Sequence, residues 1–96
     1  MFITVFTPTY NRSHLLNRLY VSVCQQTFND FEWIIVDDGS VDNTEDVVNT
    51  FISENKIDIK YIQQENGGKH RAINHGVRVA KGELFFIVDS DDLLPA

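Results

Sequence analysis

The sequence predicts an α/β fold, in which a parallel sheet of strand order 3-2-1-4 carries helices on both faces. Apolar runs alternate along the chain with segments whose apolar residues recur at helical spacing. The resulting β-α-β-α-β-α-β alternation implies parallel strands joined by right-handed crossovers. A length of 96 residues, 43% hydrophobic and 23% charged, is typical of one globular domain or of part of a larger one.

The first half of the chain supplies two strands and a helix. Residues 2–6 form the first predicted strand, which is expected to stop at Thr7-Pro8. Asn11 is expected to cap the helix that follows, because its side chain can accept a hydrogen bond from a free N–H of the first turn. Residues 32–36 form the second strand and lead into an acidic turn. The apolar face of the helix consists of Leu15, Leu16, Leu19, Tyr20 and Val23.

The second half continues the alternation. Asp42-Asn43-Thr44-Glu45 has the form of a capping box with Asp42 as the cap. Residues 57–62 and 84–88 are the third and fourth predicted strands. The helix before the third strand has an apolar face made of Val47, Val48, Phe51 and Ile52. The helix after it has an apolar face made of Ala72, Ile73, Gly76, Val77 and Ala80, and it is expected to end at Lys81-Gly82.

The predicted strand order brings the polar loops to one place. Two crossovers run outward from the first strand and the third returns to its other side, which makes a topological switch between the first and fourth strands. Open α/β sheets bind ligands at such a switch, beyond the carboxyl ends of the strands. Residues 7–11 and 89–92 fall at this position, and residues 37–40 lie one strand away on the same edge. A functional site is therefore expected there.

An acidic cluster, Asp89-Ser90-Asp91-Asp92, follows the fourth predicted strand. Crowded carboxylates repel one another, and their hard oxygen atoms suit a divalent cation such as Mn²⁺ or Mg²⁺. A solvated acidic turn is the alternative. The formal net charge of −6 argues against a nucleic-acid surface and means that a phosphate ligand would need a cation beside it.

The loop after the first strand lacks the glycine-rich phosphate cradle of dinucleotide-binding proteins and NTPases. It offers instead Tyr10, which could stack on a flat base or pack on the first helix, beside the hydroxyl of Thr9. Asp38 could accept a hydrogen bond from the N3–H of a uracil, or favour the start of the second helix. Asp37 is interpreted as structural. These residue types favour a nucleoside ligand.

Basic residues are few and two of them follow the third strand. Lys69 and Arg71 lie after the turn-forming Asn66-Gly67-Gly68, where a cation and a helix N-terminus can face a diphosphate, although both could also be simply solvated. His70 and His75 lack the spacing of a zinc site. Cys24 is interpreted as a small core residue.

Taken together, the chain resembles the donor half of a family 2 glycosyltransferase with the Rossmann-like GT-A fold. The resemblance covers nearly the whole chain, in order and at family spacing. The matching segments are Val5-Phe6-Thr7-Pro8-Thr9-Tyr10-Asn11, Ser22-Val23-Cys24-Gln25-Gln26-Thr27-Phe28, Glu32-Trp33-Ile34-Ile35-Val36-Asp37-Asp38-Gly39-Ser40, Asp42-Asn43-Thr44, Asn66-Gly67-Gly68, Ala72-Ile73-Asn74-His75-Gly76, Ala80-Lys81-Gly82-Glu83 and Asp89-Ser90-Asp91-Asp92.

The resemblance implies a nucleotide-diphospho-sugar donor, above all a UDP-sugar, a divalent metal, and inverting transfer to a hydroxyl of a carbohydrate or lipid-linked acceptor. By position, Pro8, Thr9 and Tyr10 line the nucleoside and Asp38 contacts the base. Asp89 lies near the ribose or the metal, Asp91 is the metal ligand of the DXD motif, and Asp92 assists either role. Lys69 and Arg71 depart from the commonest family pattern, which leaves their role at base or phosphate open.

Residues 1–96 are interpreted as a truncated domain that carries donor and metal binding, with the general base expected beyond Ala96. A non-catalytic nucleotide-binding module and a sugar nucleotidyltransferase are the alternatives. The second would need a glycine-rich, basic stretch after the first strand. A cytoplasmic location is expected, with a membrane segment in a longer parent left open. The edge formed by residues 84–88 is expected to self-associate.

Overall fold

The computed structural model describes residues 2–26, 30–65 and 69–89, with residues 69–71 described by their backbone alone. Four strands form one parallel sheet of order β3-β2-β1-β4, which confirms the predicted order. No helix of the described ranges is long and apolar enough to cross a membrane. The elements are β1 (Ile3–Thr9), α1 (Ser13–Cys24), β2 (Phe31–Asp37), α2 (Thr44–Glu54), β3 (Ile59–Gln63), α3 (Lys69–Val79) and β4 (Leu84–Ile87).

Strand β2 is buried along its whole length because helices cover both faces of the sheet. Its side chains alternate between two apolar clusters. Trp33 and Ile35 pack with α1 and α2, whereas Ile34 and Val36 pack with α3. On the first face Phe51 stacks on Tyr20 with ring centroids 4.0 Å apart, and Trp33 lies 6.3 Å from Phe51. The predicted helices on both faces are confirmed.

Helix α3 lies close to β1, because Gly76 has no side chain. A Cβ atom at this position would collide with the ring of Phe6. Ala72 is fully buried on the same side of the helix. Val77, which we expected on this face, is 55% exposed. That expectation is wrong because residue 77 is turned about 100° around the helix from Gly76, away from the sheet.

Pro8 lies inside β1, contrary to the expectation that Thr7-Pro8 would end the strand. The backbone of Phe6 faces β4, since its oxygen accepts a hydrogen bond from Val88 N at 2.8 Å. Pro8, two residues on, faces the same side, where its missing N–H would have made the next bond. Pairing with β4 accordingly ends at Phe6–Ile87, while pairing with β2 runs on to Thr9. The proline therefore ends the ladder on one side only.

A buried carboxylate organises the amino end of the sheet. Glu32 is fully buried, and its two oxygens accept hydrogen bonds from Lys60 Nζ (2.9 Å), Thr4 Oγ1 (2.7 Å) and Lys81 N (2.6 Å). Thr4 Oγ1 accepts in turn from Gly82 N at 2.8 Å. Burial raises the pKa of a carboxyl, but these hydrogen bonds outweigh it and hold the pKa of Glu32 below its usual value. One side chain thus ties three strands to the α3–β4 connection.

We predict that Glu32→Gln lowers the free energy of unfolding by about 2 kcal/mol at pH 7, because the hydrogen bonds to a charged group are lost. Since the folded-state pKa is lowered, this contribution is complete above the ordinary pKa of a glutamate and is lost as pH falls through the folded-state pKa. Urea unfolding of both chains at pH 7 and pH 3 measures it. The difference between them should be smaller at pH 3.

The control is Glu65→Gln, which makes the same change at an exposed glutamate. It should leave the free energy of unfolding nearly unchanged at both pH values. Equal losses for Glu32→Gln and Glu65→Gln would contradict the role given to the buried carboxylate.

Candidate functional site

The carboxyl ends of the strands meet at one edge, as the topology predicted. Asp38 N donates to Thr9 O at 2.9 Å, which joins the ends of β1 and β2. On the other side of β1, Asp89 is half-buried and directly follows Val88, the last residue bonded to that strand. Tyr10 is 44% exposed at the start of the β1–α1 loop. The structure therefore brings Thr9 and Asp38 together and places Tyr10 and Asp89 at the same edge.

The β1–α1 and β2–α2 loops are fastened to each other by Asn11. Its backbone N donates to Ser40 Oγ, and its Oδ1 accepts from Val41 N, both at 2.8 Å. Its φ angle of 52° lies in the left-handed region, which asparagine tolerates better than most residues. The expectation that Asn11 caps α1 is wrong, because this side chain is committed to the neighbouring loop. Arg12 occupies the cap position and makes no side-chain capping bond.

Asp42 strengthens the same junction. One oxygen accepts from Thr44 N at 3.1 Å and from the Thr44 hydroxyl, and the other accepts from Ser13 N at 3.3 Å. Burial raises the pKa of this carboxyl, but these hydrogen bonds outweigh it and lower the pKa. The predicted capping box is wrong in register, since α2 begins at Thr44 and Asn43 holds the cap position. The Asp42 carboxylate instead accepts hydrogen bonds from the first residue of α1, Ser13, and from the first residue of α2, Thr44.

Asp37 is structural, as predicted. It is 1% exposed, and its oxygens accept hydrogen bonds from Ser40 N at 2.8 Å and from the hydroxyl of Tyr61. Burial and this bond to a carboxylate raise the pKa of the Tyr61 hydroxyl. Asp37 therefore fixes the β2–α2 loop to the third strand.

Asp38 is held in place by a residue that the sequence analysis missed. Gln64 Nε2 donates to Asp38 Oδ1 at 2.9 Å, and Gln64 Oε1 lies 3.2 Å from His75 Nδ1 on α3. Gln64 directly follows β3, so its position at the carboxyl edge of the sheet was the signal that could have revealed it. Asp38 itself is 9% exposed. Its carboxylate is therefore oriented before any ligand arrives.

Thr9 carries a polar atom that no described residue satisfies. The side chain is 3% exposed, and its Oγ1 has no hydrogen-bond partner among the described parts of the chain. Buried hydroxyls are almost always paired. The Thr9 hydroxyl can therefore bond to a ligand atom or a water molecule, and the backbone of Thr9 is joined to Asp38 N. Pro8 is half-buried in β1 next to it.

The remaining predicted site residues are only partly described. Helix α3 begins at Lys69, so the backbones of Lys69 and Arg71 form its first turn. Asp91 and Asp92 lie outside the described residues, as does the turn at 66–68. Within the described ranges no group of three or more His, Cys, Asp or Glu side chains could hold a metal ion. Of the acidic cluster, the structure describes Asp89, whose hard oxygens are of the kind that Mn²⁺ and Mg²⁺ prefer.

Comparison with known proteins identifies glycosyltransferases as relatives of this chain. The model of the family described as "Glycosyl transferase family 2" matches residues 4–96. The glycosyltransferase GlyG of Streptococcus pneumoniae serotype 4 is 40% identical over 93 residues, which are 96% of this chain and 31% of that protein. The validoxylamine A glucosyltransferase of Streptomyces hygroscopicus subsp. jinggangensis is 40% identical over 92 residues, 92% of this chain and 21% of that protein.

Solved structures agree with the fold. A mannosyltransferase from Pyrobaculum calidifontis, in complex with GDP-Man and Mn²⁺, superposes with a TM-score of 0.93 at 31% identity. The match covers 98% of this chain and 28% of that one. TarS residues 1–349 from S. aureus, in complex with UDP-GlcNAc, gives a TM-score of 0.89 at 36% identity, covering 97% of this chain and 27% of that one.

The chain thus spans less than a third of the length of each of these relatives. The match itself takes in nearly every residue of the chain, in sequence and in fold. Its parallel sheet is the Rossmann-like sheet of GT-A glycosyltransferases. The chain belongs to glycosyl transferase family 2.

Proposed function

We propose that this chain binds the nucleotide of a UDP-sugar for an inverting, metal-dependent transfer to a hydroxyl of a carbohydrate or lipid-linked acceptor. The observation that carries the proposal is the Asp38 carboxylate, oriented by Gln64 at 2.9 Å and joined through its backbone to Thr9. A carboxylate in this position can accept the N3–H of uracil. TarS, a relative of similar fold, was solved with UDP-GlcNAc.

The loops around Asp38 favour a nucleoside. Tyr10 presents an exposed ring, and stacking of a base on such a ring contributes roughly 1–3 kcal/mol. The unpaired Oγ1 of Thr9 offers a further polar contact, and Pro8 adds an apolar surface beside it. Because Asn11 and Asp42 already fasten the two loops, little conformational entropy is lost when the nucleoside binds.

The acidic cluster suits a divalent ion at the diphosphate. Asp89 and Asp91 would hold Mn²⁺ or Mg²⁺, and Asp92 would assist. When bound, such an ion neutralises the charge that develops on the departing nucleoside diphosphate. In a chain of net charge −6, a positive charge there strengthens the binding of a diphosphate. Lys69 and Arg71, in the first turn of α3, would add positive charge.

Sugar transfer needs residues that this chain does not supply. Glu32, Asp37 and Asp42 accept hydrogen bonds that hold the fold together. The other carboxylates at the strand ends, Asp38, Asp89, Asp91 and Asp92, are assigned to donor and metal binding. The chain also spans less than a third of its relatives. We propose that the general base and the acceptor site lie beyond Ala96, so that residues 1–96 bind the donor without transferring its sugar.

The free edge of the sheet is proposed as a contact surface. β4 is an edge strand, and Leu84, Phe86 and Ile87 are 42%, 51% and 47% exposed. Exposed apolar edge strands are templates for pairing with another chain. In residues 1–96 this edge would support self-association.

We predict that UDP binding depends on the metal. Titration calorimetry with UDP and Mn²⁺ should give an affinity at least about tenfold higher than the same titration in EDTA, since one neutralised charge easily contributes 1.4 kcal/mol. Asp91→Asn should lose the Mn²⁺ effect. Asp58→Asn, which makes the same charge change at the amino end of β3, is the control and should retain it. Equal affinities in Mn²⁺ and EDTA would refute the metal role.

We predict that residues 1–96 transfer no sugar at a measurable rate, even when they bind UDP. The absent base alone typically contributes 10²–10⁴-fold to the rate. The assay follows labelled sugar from UDP-sugar donors to a panel of oligosaccharide and lipid-linked acceptors. Sustained turnover by this chain would show that the base lies within it.

We predict that the chain associates through β4. Light scattering over a concentration series should show a mass that rises with concentration, and Phe86→Lys should suppress the rise by placing a charge on the apolar edge. Val77→Lys is the matched control, because Val77 is similarly exposed but lies on α3. A chain that stays monomeric throughout, or a control that acts as strongly as Phe86→Lys, would contradict the proposal.

A further inference from the structure

Asp38 stands at the end of a short chain of hydrogen bonds that begins on α3. His75 Nδ1 lies 3.2 Å from Gln64 Oε1, and Gln64 Nε2 lies 2.9 Å from Asp38 Oδ1. The backbone of Gln64 is itself fixed, since its N donates to Asp37 O at 2.9 Å. All three side chains are at least half-buried. The chain therefore connects a helix on one face of the sheet to the carboxylate at the strand end.

The direction of these bonds follows from chemistry. A carboxylate only accepts hydrogen bonds, so Gln64 must turn its amide nitrogen towards Asp38. Its amide oxygen then faces His75, and Nδ1 of the imidazole must carry the proton. The Asp38 carboxylate thus fixes which way the amide of Gln64 faces, and a protonated Nδ1 of His75 stabilises that orientation.

We propose that Gln64 and His75 are positioning residues that determine which nucleobase the site accepts. They hold Asp38 as an acceptor, so the site selects bases with a ring N–H at the edge facing it, as in uracil or guanine. Cytosine and adenine present a ring lone pair there, which the negative carboxylate repels. This inference rests on the proposed function, in which Asp38 contacts the base.

A purely structural role for the same bonds makes a different prediction. If they only attach α3 to the sheet, removing them lowers the free energy of unfolding and weakens all nucleotides alike. If they orient Asp38, removing them changes the preference among bases. The ratio of the dissociation constants for CDP and UDP separates the two roles, because the diphosphate and metal contributions cancel.

The experiment measures this ratio by calorimetry, in Mn²⁺, for the unsubstituted chain and a set of variants. The unsubstituted chain should prefer UDP, and Asp38→Ala should abolish the preference. Gln64→Leu and His75→Leu should each reduce it about tenfold, the discrimination carried by one charged hydrogen bond. His75→Asn retains an amide donor near the position of Nδ1 and should recover most of it.

Arg78→Leu is the matched control. Arg78 lines the same hollow of about 410 Å³ as Gln64 and His75 and is exposed. Its replacement should leave the ratio unchanged, although it alters the charge. A ratio that is unchanged in Gln64→Leu and His75→Leu while UDP still binds would overturn the inference and leave the proposed function standing.

A second readout needs no nucleotide. Long-range ¹H–¹⁵N spectra at alkaline pH should find the neutral His75 ring protonated at Nδ1, with the signal assigned by its loss in His75→Leu. A proton on Nε2 would overturn the inference directly. Failure of the unsubstituted chain to bind UDP or any other nucleotide would overturn the proposed function, and this inference with it.

Discussion

Burial of β2 on both faces is the constraint on which the other features depend. A strand with all seven residues buried must have a helical layer on each side, so its side chains alternate between Trp33 and Ile35 on one face and Ile34 and Val36 on the other. With β2 and β1 in the interior of the sheet, β3 and β4 are its edges within the part of the chain that the structure describes. The carboxyl ends of all four strands then point one way, and the polar loops gather there.

Charged side chains lie at both ends of the sheet but make different contacts there. At the amino end, the buried Glu32 accepts hydrogen bonds from Thr4, Lys60 and Lys81, and this network joins three strands to the α3–β4 connection. At the carboxyl end, Asp37 and Asp42 hold the loops, and Gln64 orients the carboxylate of Asp38, which we propose contacts the base. The polar and charged groups at the amino end bond to one another across three strands, whereas those at the carboxyl end fix the loops around the proposed nucleotide site.

The sequence predicted the strand order and the place of the site, because both follow from the alternation of apolar segments. Predictions from the sequence were wrong where the local structure depends on a hydrogen-bond partner that is distant in the sequence. Pro8 continues β1, since its missing N–H faces only the end of β4. Asn11 looks like a cap of α1, but its side chain bonds to Val41, 30 residues away, and Asp42 bonds to the distant Ser13 as well as to Thr44 at the start of α2. The contact of Gln64 with Asp38 was not predicted, because the two residues are 26 positions apart in the sequence and meet in the folded chain.

The central claim is that a nucleotide binds where β1 and β2 end. The most direct measurement is a ¹H–¹⁵N correlation spectrum of the chain titrated with UDP in Mg²⁺, which is diamagnetic. The account predicts that the largest shifts occur at the amides of Tyr10, Asn11 and Asp38. A hollow of about 520 Å³ lies at the amino ends of β2 and β3 and is lined by residues such as Phe31, Lys56 and Asp58. Shifts centred on this hollow would contradict the claim.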